Sequence, residues 1–162
     1  MALKLSKDDA MYMNIARVVA LRSRDEHFKV GAVIARGNKI LSYGWNGTPH
    51  GMDNATRDAN GKTKWELVHA ETNAIAKLAA STSSSEDATL YLTHSPCKDC
   101  TKLILQAGIK RMIYAELYKS NKDGKRVPEL EALKFLLDNG VEVHECETLK
   151  SVSYTHLRAH ET

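Results

Sequence analysis

Two short segments of the chain hold residues able to grip a metal ion and move a proton. One is His69-Ala70-Glu71. The other starts 28 residues after His69 and runs Cys97-Lys98-Asp99-Cys100, with Pro96 before it. Two thiolates and one imidazole make a three-ligand zinc set that leaves the fourth tetrahedral position open for water, the arrangement of catalytic rather than structural sites. Pro96 suits the first position of a helix, which predicts Cys97 and Cys100 in its first turn, three apart and on one face. The positive end of that helix favours thiolates. His69 and Glu71 are two apart and would diverge in mid-helix, so the spacing predicts that the regular helix starts near His69. Glu71 then stands beside the open metal position without ligating, placed to take a proton from water and return it to a substrate. Taken alone, Cys-x-x-Cys also fits a redox pair or half of a structural zinc knuckle, and Glu71 also fits a surface carboxylate.

Those segments need elements to bring them together, and hydrophobic periodicity supplies an alternating order. A helix over 6–21 is capped by Ser6. Strands over 28–35 and 39–45 are joined by a short turn at 36–38, which predicts an antiparallel hairpin. Further along come a helix over 65–80, a strand over 89–93 and a helix over 98–107 ended by Gly108. A strand over 111–115, a helix over 129–138 and a strand over 141–145 complete the pattern. Helical crossovers imply parallel neighbours in one sheet. The expectation is a three-layer α/β/α domain around a five-stranded mixed sheet, with ligands bound where strand carboxyl ends meet helix N-termini.

The chain's 162 residues suit one domain, placed at 1–150, and 151–162 is expected to be a disordered or non-native tail. Hydrophobic residues at 43% and charged residues at 27% describe a globular chain rather than a disordered one. Neither a span-length apolar run nor an apolar leader core is read, so the reading is cytoplasmic, with no membrane contact. A net charge of +3 is too small for coating a polynucleotide, although a local basic pocket for one phosphate fits it. Three cysteines do not make a disulfide framework, and Cys146 is read as a structural thiol. Trp45 and Trp65 are read as packing residues, His144 as solvent-facing, and His94 as either a cavity residue or a satisfied strand histidine.

His-x-Glu followed by Pro-Cys-x-x-Cys is the signature of zinc-dependent nucleobase deaminases. The match extends to Arg22-Ser-Arg-Asp25, Val30-Gly-Ala-Val-Ile34, Gly44-Trp-Asn-Gly-Thr-Pro-His-Gly51, His69-Ala-Glu-Thr-Asn-Ala-Ile75 and the run from Cys100 to Lys110. On these segments the chain resembles the cytidine/deoxycytidylate deaminase family, and within it the deoxycytidylate (dCMP) deaminases. The glycine loop Gly44–Gly51 favours the deoxynucleotide branch over deaminases of tRNA adenosine or free cytidine.

The resemblance implies zinc on His69, Cys97 and Cys100, and hydrolysis of dCMP to dUMP and ammonia, with Glu71 carrying the proton. It implies that the Ala70 N–H and the Ser95 carbonyl contact the base edge, that Asn46 contacts the deoxynucleotide, and that Tyr118 lies near the substrate. For the phosphate it points to Arg22, Arg24, Lys29 and the Gly47-Thr48 backbone. Gly44 and Gly47 are read as glycines that let the backbone approach the ligand, and Asn46 also fits a plain turn residue. A homo-oligomer, commonly a hexamer, is implied, as are dCTP and dTTP effectors that Mg2+ could accompany. Met52-Asp53-Asn54 departs from the cysteine and acidic run that many members carry in the region linked to that control, which leaves regulation open. Two alternatives stand: a deaminase of another cytosine nucleoside or nucleotide, and a non-enzymatic nucleotide-binding domain.

Overall fold

A computed structural model describes residues 5–146; the expected tail at 151–162 lies outside the described residues. The first helix, α1 (Lys7–Ala20), starts at a capping box. Ser6 Oγ accepts from the Asp9 N–H at 3.1 Å, and Asp9 Oδ2 accepts from the Ser6 N–H at 3.3 Å. Strands β1 (Gly31–Arg36) and β2 (Lys39–Trp45) form the expected antiparallel hairpin, turning through Gly37 at φ 61°. Next come α2 (Ala70–Ala79), β3 (Thr89–His94), α3 (Lys98–Gln106) and β4 (Arg111–Glu116). A second hairpin, β5 (Lys119–Lys122) and β6 (Lys125–Pro128), precedes α4 (Leu130–Asp138) and β7 (Glu142–Glu145).

The main sheet has five strands in the order β2-β1-β3-β4-β7. It is mixed: β1 is antiparallel to both β2 and β3, while β3, β4 and β7 run parallel. Its central strands are buried on both faces, hence their continuous apolar runs. On one face Ala32, Ile34, Leu90, Leu92 and Met112 pack against α2, α3 and α4 through residues such as Ala74, Ile104 and Leu136. On the other face Val33, Tyr91 and Ile113 pack against Tyr12, Met13 and Ala16 of α1. This is the expected three-layer arrangement.

Two glycines set how closely the helices lie on the hairpin. A Cβ on Gly31 would sit 1.9 Å from the Ala16 carbonyl oxygen of α1, and one on Gly44 would sit 2.6 Å from both Ala70 O and Ala74 N of α2. Gly44 therefore serves the approach of a helix, which corrects its reading as a glycine for ligand approach.

Three further expectations are corrected. The first strand starts at Gly31 rather than at position 28, because Asp25 Oδ1 accepts from the His27 and Phe28 N–H groups and holds that stretch as a loop. The helix expected from position 65 starts at Ala70, because Val68 is held as a β-bridge to Gly47. Trp65, read as a packing residue, is 89% exposed. Among the described residues, no helix is long and apolar enough to cross a membrane.

Candidate metal centre and active site

The site forms where the N-termini of α2 and α3 meet. His69 is the N-cap of α2 (φ −70°, ψ 157°), so the chain is still extended there and turns into the helix just beyond it. That geometry lets His69 and Glu71 converge, with His69 Nδ1 3.7 Å from Glu71 Oε1. Cys97 is the N-cap of α3, and Pro96 lies outside the helix. The expected first turn therefore begins a residue or two later than the proline suggests. Cys100 is the third helical residue, and N-cap and third-residue side chains face each other as in a capping box, so the two sulfurs still converge.

The His69 Nδ1, Cys97 Sγ and Cys100 Sγ atoms all lie within 4.8 Å of one another. His69 Nδ1 is 3.3 Å from Cys100 Sγ and 3.5 Å from Cys97 Sγ. Zn–S and Zn–N bond lengths with tetrahedral angles place such donor atoms about 3.5 Å apart, so the donor set fits zinc by type and by spacing.

Electrostatics within the cluster agree with a metal-ligating role. The Cys100 thiol and the His69 imidazole beside Cys97, working against burial, hold the Cys97 thiol down to about 4. The Cys97 sulfur and burial push Cys100 up. His69 is raised by its hydrogen bond with Cys97, against burial. Glu71 is only 3% exposed, and burial pushes its carboxyl above the ordinary carboxylate range despite the opposing effects of Cys100 and His69. A buried carboxyl whose pKa is raised, beside a candidate metal site, is of the kind that accepts and releases a proton in catalysis.

These groups open into a cavity of about 900 Å³. Of the residues expected from sequence, His69, Ala70, Glu71, Cys97, Asn46, Ser95 and Tyr118 lie on its wall; Cys100 sits behind, on a second, smaller cavity that His69 also lines. Ser95 is fixed at both ends: its N–H donates to the Glu116 carbonyl, and its Oγ accepts from the Tyr118 N–H, each at 2.8 Å. Asn46 is more than a turn residue. Its Nδ2 donates to the Phe28 carbonyl at 2.7 Å and its Oδ1 accepts from the Val30 N–H at 2.9 Å, so it holds the loop that forms one wall.

The phosphate candidates fare differently. Arg22, Arg24 and Lys29 are exposed and do not line the cavity; Arg22 lies over the Trp45 ring at 5.1 Å. Gly47 and Thr48 are also off the wall, and the Gly47 N–H is committed to the Val68 carbonyl at 3.1 Å. The cations on the wall are Arg57, Lys119 and Arg126, none of which carried a motif in the sequence. Phe28 was missed as well; its ring packs 4.6 Å from that of His94, which lines the cavity and pairs with Glu116 at 3.4 Å. His144 is half-buried beside Glu142 rather than fully turned to solvent. Cys146 is buried in the α1-side core.

Fold and donor set together define the class of zinc-dependent deaminases. The family model of the cytidine and deoxycytidylate deaminase zinc-binding region matches residues 6–116, and the chain belongs to that family. Among its relatives, the deoxycytidylate deaminase of Enterobacteria phage T2 is 34% identical over 153 residues, covering 69% of this chain and 81% of that one. The human deoxycytidylate deaminase is 39% identical over 111 residues, covering 64% of this chain and 61% of its own. The crystal structure of dCMP deaminase from the cyanophage S-TIM5, in complex with dCMP and dUMP, superposes with a TM-score of 0.77 at 34% identity. That match covers 88% of this chain and all of the other.

Proposed function

We propose that this chain hydrolyses dCMP to dUMP and ammonia, supplying dUMP for thymidylate synthesis. One observation carries the reading: a His/Cys/Cys donor set and a buried glutamate converge on one nucleotide-sized cavity. The support from outside the chain is its similarity to a phage enzyme solved with this substrate and product.

His69, Cys97 and Cys100 would hold the zinc. When bound, zinc supplies the Lewis acidity that makes water nucleophilic at neutral pH. Glu71 takes a proton from the attacking water and delivers it to N3 of the cytosine as the water oxygen adds to C4. It then takes the remaining proton from the oxygen added at C4 and passes it to the exocyclic nitrogen; the C4–N bond breaks as the C4=O bond forms, and ammonia leaves. Ala70 is the first residue of α2, so its N–H has no partner within the helix and is available to the base edge. The Ser95 carbonyl takes the other side of that edge, and Asn46 and Tyr118 bound the sugar. A buried, intact Glu71 in a nucleotide-sized cavity favours an enzyme over a nucleotide sensor.

Residues 1–150 are assigned to this one domain. By family resemblance the chain assembles as a homo-oligomer, commonly a hexamer; control by dCTP and dTTP, with or without Mg2+, is left open by Met52-Asp53-Asn54 and is read from rates on dCMP with and without each nucleotide. A reducing, cytoplasmic setting suits a centre built on two free thiols. The test is direct: zinc-loaded protein incubated with dCMP should release ammonia in step with the fall in cytosine absorbance. No ammonia and an unchanged spectrum overturn the assignment. Light scattering tests the assembly, and a monomer at assay concentration contradicts it.

A further inference from the structure

The β5–β6 hairpin is absorbed by neither the metal centre nor the sheet, yet it carries a charge equal to that of the whole protein. Lys119, Lys122, Lys125 and Arg126 face a single carboxylate, Asp123, so ten residues hold a net +3, and the net charge of the full chain is also +3. We propose that this hairpin recognises the phosphate of the substrate, with Arg126 and Lys119 as the contacting cations. The inference rests on the nucleotide reading above and names the residues that separate a nucleotide from a nucleoside.

Strand register decides which cations face the site. Arg126 pairs with Asn121, and Lys119 with Pro128. Side chains alternate along a strand, so Lys119, Asn121, Arg126 and Pro128 share one face, while Lys122 and Lys125 share the other. The cavity wall agrees: it includes Lys119 and Arg126 and neither of the other two.

Arg126 is also positioned. Its guanidinium lies 5.7 Å from the centre of the Phe28 ring, and its Nη2 donates to the Lys119 carbonyl at 3.3 Å. These contacts use only part of its five-donor fork. The base of the hairpin is pinned where the Glu129 N–H donates to the Tyr118 carbonyl at 2.9 Å. Tyr118, on the cavity wall, directly precedes Lys119.

Charge balance separates these two cations from the others nearby. Arg57 is neutralised by Asp25 at 3.2 Å and also donates to the Gly61 carbonyl at 3.0 Å. His94 is paired with Glu116. Among the described residues, no carboxylate lies within ion-pairing distance of Lys119 or Arg126. Two uncompensated cations on the wall of the cavity that holds Glu71 suit a phosphate dianion, which an arginine fork can bind through two oxygens. A nucleoside offers neither charge nor fork partner.

The experiment compares kcat/KM for dCMP with that for deoxycytidine in the zinc-loaded wild type and in R126A, R126K, K119A and the opposite-face double variant K122A/K125A. Zinc content and Tm show that each variant is folded. R126A should lower the dCMP-to-deoxycytidine ratio by about tenfold to hundredfold, the loss of one charge-assisted contact. R126K should recover part of that loss, K119A should lower the ratio less, and K122A/K125A should shift it by less than about threefold. Inorganic phosphate should compete with dCMP in the wild type and do so at least tenfold more weakly in R126A. An unchanged ratio in a folded R126A overturns the proposal, as does an equal loss in K122A/K125A. A wild type that turns over neither compound defeats the deaminase reading alone; the hairpin is then judged by equilibrium binding of dCMP against deoxycytidine in the same variants, with the same ratios deciding.

Discussion

Replacing Gly44 by alanine tests the link between packing and chemistry, because Gly44 touches no donor atom yet sits under the helix that carries His69 and Glu71. The new Cβ would stand 2.6 Å from Ala70 O and Ala74 N, where ordinary contact begins near 3.4 Å. Both obstacles are α2 backbone, so the helix must retreat by about 0.8 Å. Two bonds tie α2 to β2, Ser42 Oγ to the Ala74 carbonyl and Asn73 Nδ2 to the Trp45 carbonyl, each at 2.7 Å. A shift of that size stretches both to the edge of hydrogen bonding. Overpacking costs about 1–3 kcal/mol and each weakened bond up to about 1 kcal/mol, for a total of about 3 kcal/mol. For a chain of this length that lowers Tm by roughly 6–12 °C. The displacement exceeds the roughly 0.5 Å tolerance of a catalytic constellation, so kcat should fall about 100-fold. Urea unfolding, thermal unfolding and steady-state rates measure the three effects. Gly47→Ala is the control: its Cβ meets nothing closer than 3.7 Å, and it should cost under about 1 kcal/mol. A G44A protein within about 1 kcal/mol of wild type and within threefold in kcat would refute the claim that this contact positions the site.

Other outcomes follow from the same geometry. Glu71→Gln should keep zinc, as read by elemental analysis, while losing at least about 100-fold in kcat, because the amide cannot shuttle a proton. Cys100→Ala removes a donor 3.3 Å from His69 Nδ1, so the purified variant should hold far less zinc than wild type and be inactive. Asp9 tests acid stability. Burial alone would raise its pKa, but Arg111, bonded to both oxygens at 2.8 Å, and the Tyr91 hydroxyl at 2.7 Å hold it down to about 2 from an ordinary 3.8. A lowered native pKa contributes stability that is complete above 3.8 and lost as the pH falls towards 2. The unfolding free energy of wild type should therefore approach that of Asp9→Asn across that window, and a constant gap between the two would contradict the pairing.

The sequence made the sheet legible wherever burial on both faces forced a continuous apolar run, as in Gly31–Ala35 and Thr89–Thr93. The start of α2 was legible for a chemical reason: His69 and Glu71 could meet only there. The range expected for α3 began at 98, where the helix does begin; only the reading of Pro96 as its first residue was off, because a proline before an N-cap and one just after it look alike in sequence. The β5–β6 hairpin escaped because its strands are polar on both faces and show no alternation. Its one signal was Asp123-Gly124, whose φ angles of 52° and 78° belong to a tight hairpin turn. The cavity cations were illegible for a different reason. Arg57 is placed by Asp25, 32 positions earlier in the chain, and no local pattern encodes a partner so distant. The phosphate candidates Arg22, Arg24 and Lys29 came from the family resemblance alone, and in this fold they lie off the cavity wall.

The way the helices begin explains why remote changes should reach the donor atoms. Helix α1 begins conventionally, with Ser6 and Asp9 satisfying each other's backbone N–H groups. At α2 and α3 the cap positions are occupied by His69 and Cys97, and neither side chain caps its helix. A good N-cap contributes about 1 kcal/mol, so these two starts forgo about 2 kcal/mol, and at α2 the Ala70 N–H, on a residue of the cavity wall, has no partner within the helix. Their order must come from elsewhere. For α2 it comes from the Gly47–Val68 bridge and the bonds from Ser42 and Asn73 to and from the hairpin. For α3 it comes from Ser95, held by Glu116 and holding Tyr118. The aligned dipole at the start of α3 and the Cys100 N–H bonded to the Cys97 sulfur both favour the Cys97 thiolate. Local instability and thiolate-favouring electrostatics at this site are thus one feature: a conventional cap at either position would steady the helix end and remove a donor from the metal site.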